Sequence, residues 1–245
     1  MKRLLTILLV LVLLTGCAPA ENPYGPEDFA YDGDYLTCTA GESRLGVDVS
    51  VFQGDIDWNA VAAAGVECAM VRIGFRGYAE GEINEDSKAR TNIEGAKAAG
   101  LDVGVYFFSQ AISPEEAAEE ARWAIEFLNG YELELPLVYD WEHVWDEDAR
   151  TADLVDPELL TACARSFCDT VAAAGYAPMV YFNGYQARDL YDLTALKDYG
   201  FWLAQYADAM DFPYAVDCWQ YSETGAVDGV RGKVDLNLWF PEITK

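Results

Sequence analysis

Residues 135–144 read Leu-Pro-Leu-Val-Tyr-Asp-Trp-Glu-His-Val, a short apolar run that ends in two carboxylates, Asp140 and Glu142, one residue apart. A brief apolar run with a proline near its start reads as a buried strand. Side chains alternate across a strand, so Asp140 and Glu142 project to the same side, roughly 6.6 Å apart along the chain. Like charges that close at the end of a buried strand perturb each other's protonation. Dividing such a pair into one protonated acid and one ionised carboxylate is what hydrolysis of a glycosidic bond requires. An isolated Asp-x-Glu also suits a strand that simply runs out into water, so its meaning depends on the rest of the chain.

Other chemistries find few residues. His143 is the one histidine of the chain, which excludes a histidine-rich zinc site. A Ser-His-Asp or Cys-His device would have to use that ring, and the usual nucleophile contexts are absent. No phosphate-cradling glycine loop is present. Beyond Cys17, the cysteines Cys38, Cys68, Cys163, Cys168 and Cys218 are odd in number and lack Cys-x-x-Cys spacing. They read mostly as buried small hydrophobes, with room for one disulfide. No metal and no cofactor are expected, and carboxylate chemistry remains. With 42 acidic and 16 basic residues the net charge is −26. Nothing here could neutralise a run of phosphates, so nucleic acid is excluded as a partner. Anionic lipid and anionic wall polymers are disfavoured, whereas a neutral sugar chain is compatible.

The elements that must position these acids follow an N-terminal leader. Lys2 and Arg3 precede an apolar run over 4–14, then Leu14-Thr15-Gly16-Cys17. This is a secretory signal, too short to span a bilayer as a helix. Its end resembles a bacterial lipobox, with Cys17 as the lipidated first residue of the mature chain. The expected organisation is a signal peptide over 1–16, a lipid-anchored spacer over 17–43 and one catalytic domain over 44–245. The spacer is rich in Pro, Gly, Asp, Glu and Tyr and reads as flexible or loosely docked. The protein is expected outside the cytoplasmic membrane, held there through Cys17 alone.

Apolar runs predict strands over 45–51, 68–75, 103–109, 137–142, 179–183, 201–206, 217–221 and 234–239. Helices fit 58–64, 87–99, 114–128, 157–174 and 186–196. Ser113-Pro114-Glu115-Glu116 supplies a capping serine, a first-turn proline and acids beside the positive end of the helix dipole. Gly100 and Gly175 directly follow two of the helices, as stops. The last three strands lie too close together for helices between them. The pattern predicts an α/β fold, an irregular TIM-like (β/α)5(β)3 barrel in a single domain, with its site at the C-terminal strand ends. Asp48, Asp140, Glu142 and Asp235 would meet on that rim.

Gly46-Val-Asp48-Val-Ser50-Val-Phe-Gln53-Gly54-Asp-Ile-Asp57-Trp58 resembles the opening strand and turn of the glycoside hydrolase family 25 muramidases, the Chalaropsis-type lysozymes. Further matches are Gly104-Val-Tyr106-Phe-Phe108-Ser109, Asp140-Trp-Glu142, Val180-Tyr181-Phe-Asn183 and Trp202-Leu-Ala-Gln205-Tyr206. Trp219-Gln220-Tyr221 and Val227-Asp-Gly229 through Val234-Asp235-Leu-Asn237 close the pattern. The motifs run in the family's order from 45 to about 240.

The resemblance implies cleavage of the β-1,4 bond between N-acetylmuramic acid and N-acetylglucosamine in peptidoglycan. Glu142 matches the family's general acid. Asp140 matches its partner, which stabilises positive charge or orients the substrate's acetamido group. Asp48 and Asp235 match the carboxylates that position substrate and tune that pair. Glu142 is expected protonated at working pH and Asp140 ionised. Tyr106, Phe108, Tyr181, Tyr206 and Trp219 are candidates to line a sugar groove, with Asn183, Gln205 and Gln220 as polar partners; aromatics at such positions are also core formers. Arg72 and Arg76 read as counter-charges to the acids or contacts for a substrate carboxylate, and His143 as structural. Trp141 stands where small or aliphatic residues are common in the family and faces away from the acids. The acidic segment 145–153 is longer than the motif needs and is expected near the cleft mouth. No wall-binding repeat is expected after the barrel, and the protein is expected to be a monomer. The alternatives are a glycan-binding barrel without catalysis, or a hydrolase of another amino-sugar linkage. The longer Asp-x-x-Asp-x-Asp-x-Glu pattern of family 18 chitinases is absent.

Overall fold

The computed structural model describes residues 18–129 and 131–241. Its strands are β1 (Phe29–Asp32), β2 (Tyr35–Cys38), β3 (Arg44–Val49), β4 (Cys68–Arg76), β5 (Ile83–Glu85), β6 (Asp102–Ser109), β7 (Leu137–Trp141), β8 (Pro178–Asn183), β9 (Gly200–Ala204), β10 (Cys218–Gly225) and β11 (Val234–Trp239). The helices are α1 (Trp58–Ala63), α2 (Ala89–Ala98), α3 (Pro114–Phe127), α4 (Pro157–Ala173) and α5 (Leu193–Leu196). The stretch predicted as one helix over 186–196 is a π-helical turn, Gln186–Leu190, followed by the short α5.

Eight strands close a barrel in the order β3-β4-β6-β7-β8-β9-β10-β11 and back to β3. These are the eight strands expected from the apolar runs. Neighbours from β3 round to β10 are parallel. β11 runs antiparallel to both β10 and β3. That reversal has a consequence for the site. In a parallel strand the first residues lie at the bottom of the barrel, but β11 enters from the top. Asp235, near its start, therefore lies beside Asp48 in the β3 register.

Helix starts follow the chemistry written in the sequence. Ser113 accepts from the Glu116 N–H, with Pro114 in the first turn, and Asp156 and Asp57 cap α4 and α1 in the same way. Gly100 and Gly175 end α2 and α4 at φ 87° and 90°, a conformation that costs other residues a Cβ clash. The barrel interior below the site is filled by Met70, Val138, Met179, Trp202, Cys218 and Trp239. A second apolar layer lies between strands and helices. All five cysteines of the described residues are buried and free, so the possible disulfide does not form. No helix among the described residues is long and apolar enough to cross a membrane.

The segment expected to be a flexible or loosely docked spacer is docked over the described residues. β1 and β2 form an antiparallel hairpin. Ala20 accepts from the Ala215 N–H and Pro213 from the Asn22 N–H, at 2.8 and 2.9 Å. Phe29 meets Trp219 edge-on at 5.0 Å, and Tyr24 meets Phe240 at 5.2 Å. The reason lies in the missing helices. No long helix follows β9 or β10, so the outward-facing Trp219 and neighbouring Phe240 would be bare without Phe29 and Tyr24 against them. Cys17 and the leader lie outside the described residues.

Candidate active site

β7 is buried at all five of its positions, and it delivers both acids of the central pair. Asp140 is 5% exposed, and Glu142, just past the strand end, is half-buried. Trp141 points the other way, into the layer under the helices, and its Nε1 donates to the Ala111 carbonyl at 3.2 Å. Two buried glutamines hold the backbone here. Gln110 Nε2 donates to the Glu142 carbonyl at 2.7 Å, while its Oε1 accepts from Thr151 Oγ1 at 2.6 Å. Gln186 Nε2 donates to the Trp141 carbonyl, and its Oε1 accepts from the Asn183 N–H at 2.8 Å.

Asp48 and Asp235 sit side by side on β3 and β11. Asp48 Oδ2 accepts from Gln220 Nε2 at 2.9 Å and from Asn237 Nδ2 at 2.8 Å. Gln220 Oε1 accepts from the hydroxyls of Tyr181 and Tyr206, at 3.0 and 3.3 Å. Asn237 Oδ1 accepts from Trp202 Nε1 at 2.8 Å. Every donor on this chain turns toward Asp48, which fixes it as an acceptor.

Burial raises all four carboxyls, but what opposes it differs. For Asp48 the hydrogen bonds from Asn237, Gln220 and Asp235 pull back toward the ionised form. Asp235 is pushed up to about 8, by burial and then by the charge and hydrogen bond of Asp48, so it holds a proton. Glu142 is pushed up to about 7 by burial and then by Asp48. Asp140 is raised well above the usual range by burial, Glu142 and Asp48, and only Arg72 opposes this. Its Oδ1 is buried without a hydrogen-bond partner. The protonated Glu142 expected from sequence fits this electrostatics. A plainly ionised Asp140 does not, because it is the more deeply buried member of the pair. Two buried like charges do not both ionise easily, and the two titrate together.

One cavity of about 770 Å³ is lined by Asp48, Asp140, Glu142 and Asp235 together with Tyr106, Phe108, Tyr181, Tyr206 and Gln220. Three residues expected in the groove lie elsewhere. Trp219 faces the hairpin, with Nε1 donating to the Gln205 carbonyl at 2.8 Å. Gln205 is spent on the following loop, its Oε1 accepting from the Asp211 N–H at 2.8 Å. Asn183 Oδ1 caps the turn after β8, accepting from the N–H groups of Tyr185 and Gln186, both at 3.0 Å.

Arg72 and Arg76 line the cavity, but their ion-pair partners are other acids. Arg72 pairs with Asp86 at 2.9 Å and lies against the rings of Phe52 and Phe75. Arg76 pairs with Glu120 at 2.6 Å and Glu119 at 2.8 Å, tying β4 to α3. His143 is structural, as expected, its Nε2 on the Ala152 carbonyl at 2.9 Å and its ring against Trp145. The acidic loop begins at the mouth, where Val144 lines the cavity. It is bound to the loop after β4 by the Arg150 N–H donating to the Tyr78 carbonyl at 2.8 Å.

Phe52, Phe75, Tyr78, Trp202, Glu80 and Glu223 also line the cavity and were not singled out from sequence. Phe52, 81% exposed, lies inside the opening motif between Ser50 and Gln53, and that motif was the available signal. An exposed aromatic at a cleft mouth offers an apolar face to a sugar ring while its neighbours hydrogen-bond the edge. The arrangement thus combines a raised carboxylic acid, a second carboxyl on the same side of one strand, a third carboxyl held by two side-chain donors and an aromatic mouth.

Residues 47–230 match the family profile Glycosyl hydrolases family 25. An autolytic lysozyme of Clostridium acetobutylicum is 28% identical over 195 residues, 78% of this chain and 54% of the relative. The modular autolysin LytC of Streptococcus pneumoniae, solved with a synthetic peptidoglycan ligand, superposes with a TM-score of 0.71 at 25% identity. That match covers 81% of this chain and 47% of LytC, so the chain spans about half the length of each of these two proteins. A family 25 glycosyl hydrolase from Bacillus anthracis has the same fold, with a TM-score of 0.66 at 23% identity over 87% of this chain and 96% of that one. The closed barrel, the acid-lined cavity and a profile match over most of the barrel lead to one assignment: the chain belongs to glycosyl hydrolase family 25.

Proposed function

We propose that the protein is a peptidoglycan muramidase cleaving the β-1,4 bond between N-acetylmuramic acid and N-acetylglucosamine, with Glu142 as general acid and Asp140 as its partner. One observation carries this reading. Glu142 is held up to about 7 on the same side of β7 as Asp140, within a cavity whose mouth is aromatic. A carboxylic acid still protonated near neutrality can deliver its proton to the glycosidic oxygen as the C1–O bond breaks. The positive charge then developing at the anomeric carbon is stabilised by the negative charge that the coupled Asp140–Glu142 pair gains as Glu142 gives up its proton, or by the 2-acetamido group that Asp140 orients. Water adds at C1 and returns a proton to the Glu142 carboxylate, restoring the acid. Asp48 and Asp235 position the sugar and set the charge around the pair. Lysozyme activity in the autolytic relative supports this reading.

We further propose that Cys17 is lipidated and tethers the barrel outside the cytoplasmic membrane. Labelling with radioactive palmitate, lost in Cys17→Ser, tests that point separately. The catalytic test is digestion of purified peptidoglycan by the chain from residue 18, beside Glu142→Gln, with reduced muropeptides identified by mass. New muramic-acid reducing ends, absent with the variant, are expected. Glucosamine reducing ends would assign a different linkage, and intact glycan with both proteins would assign a binding barrel.

A further inference from the structure

Six carboxyl side chains line the cavity: Asp48, Glu80, Asp140, Glu142, Glu223 and Asp235. Its two arginines bring little net positive charge to the cleft, because Asp86 claims Arg72, and Glu120 and Glu119 claim Arg76. Glu80 and Glu223 are exposed, and among the described residues neither has a cationic partner. One lies on the loop after β4 and the other on β10, with β3 and β11 between those strands in the barrel order. A second observation concerns what the cavity lacks. Asp140 lines the cavity, and its buried Oδ1 has no hydrogen-bond donor among the described residues.

We propose that this cleft selects substrate carrying a primary ammonium group over substrate in which every nitrogen is acylated. The inference rests on the muramidase reading above and adds the charge class of the glycan. Clefts lined by one sign of charge focus the field and raise the local concentration of the opposite charge. An ammonium group also brings three donors to a wall rich in acceptors. An anionic polymer meets repulsion in the same place. In peptidoglycan the shared chemistry has two sources: an amino sugar whose acetyl group has been removed, and the free amine of a stem peptide.

The experiment compares two matched pairs of substrates made from one peptidoglycan. The first pair is peptide-free strands with glucosamine nitrogens either free or acetylated. The second is fully N-acetylated strands whose stem-peptide amines are either free or acylated. kcat/KM is measured at low and high salt, about 0.02 M and about 0.5 M, which shortens the screening length from roughly 20 Å to a few ångströms. The ammonium-bearing member of at least one pair should be cleaved roughly 3- to 10-fold faster at low salt, the scale expected of a few exposed charge pairs. That advantage should shrink at high salt and in Glu80→Gln/Glu223→Gln, and the pair that responds identifies the source. Equal rates within both pairs, or an advantage untouched by salt and by the double variant, would overturn the inference. Absence of cleavage in all four would instead overturn the muramidase reading, and calorimetric binding of the same strands would still decide the charge preference.

Discussion

Asp48 and Asp235 are register partners across the antiparallel pair β3–β11, and their carboxyls interact by a hydrogen bond that favours the proton on Asp235. One comes from the strand that opens the barrel and the other from the strand that closes it. Asp48 has donors from Gln220 and Asn237 on one oxygen, and these favour its charged form against the upward push of burial. Asp235, beside that carboxyl and partly buried, keeps its proton up to about 8. The pair thus presents at most one negative charge near Glu142 and Asp140 rather than two. The cost of four carboxyls in one cavity is lowered by the proton on Asp235 instead of by added cations.

Asp235→Asn tests that arrangement through stability. Asp235 ionises near 3.8 in an ordinary setting and near 8 in the fold. Between those values the folded state binds more protons than the unfolded one, so stability is lost as pH rises through that window. The variant keeps a donor to Asp48 and removes the titration. Urea midpoints for wild type should fall between pH 5 and pH 8.5, and the fall should be smaller in Asp235→Asn. Equal falls would mean that Asp235 is ionised in the fold.

Asp48→Asn tests the field on Glu142, the proposed general acid. After burial, Asp48 is what raises Glu142. Removing that charge lowers the Glu142 pKa, so the acid loses its proton at lower pH. The alkaline limb of kcat/KM, near pH 7 in wild type, should move to lower pH by a fraction of a unit, with lower activity above it. A limb that stays in place would break the link between the two residues.

What could be read in the sequence followed strand alternation. It put Asp140 and Glu142 on one side and Trp141 on the other, because β7 is a short, uninterrupted apolar run. The same rule explains the errors. Trp219 and Gln220 are neighbours in one strand and cannot both face the interior, and with Gln220 on Asp48 the tryptophan must face out. Gln205 and Tyr206 lie beyond the end of β9, where alternation no longer holds. Phe52, Tyr78 and Glu80 lie in turns, which have no period to reveal which way a side chain points. The antiparallel entry of β11 depends on a long-range pairing with β3 that no local pattern encodes. The hairpin was hidden because its strands have four residues each, with Pro, Gly and acids around them, a composition shared with linkers.

That hairpin predicts a stability effect far from the acids. Phe29 is 8% exposed and packs edge-on against Trp219. Phe29→Ala should destabilise the barrel by about 3 kcal/mol, as for other large-to-small changes in buried aromatics. A chain starting at residue 44 should be less stable still and bind a dye for exposed apolar surface. An unchanged denaturation midpoint in Phe29→Ala would show that the strap is only loosely seated.

Gln110 predicts an effect on rate through geometry alone. It touches no part of the cavity, yet it joins the Glu142 carbonyl to Thr151 of the acidic loop through hydrogen bonds of 2.7 and 2.6 Å. Gln110→Met has similar volume and keeps neither bond. The Glu142 backbone then loses a fixed point, and a displacement of the acid by about 1 Å costs on the order of 100-fold in rate. kcat should fall roughly 10- to 100-fold with KM changed much less, because the aromatic mouth proposed to bind sugar is untouched. Gln110→Glu, which retains an acceptor for Thr151 but loses the amide donor, should fall by a similar factor if the bond to Glu142 is the one that matters. Activity near wild type in Gln110→Glu would assign the positioning to Thr151 and its loop instead.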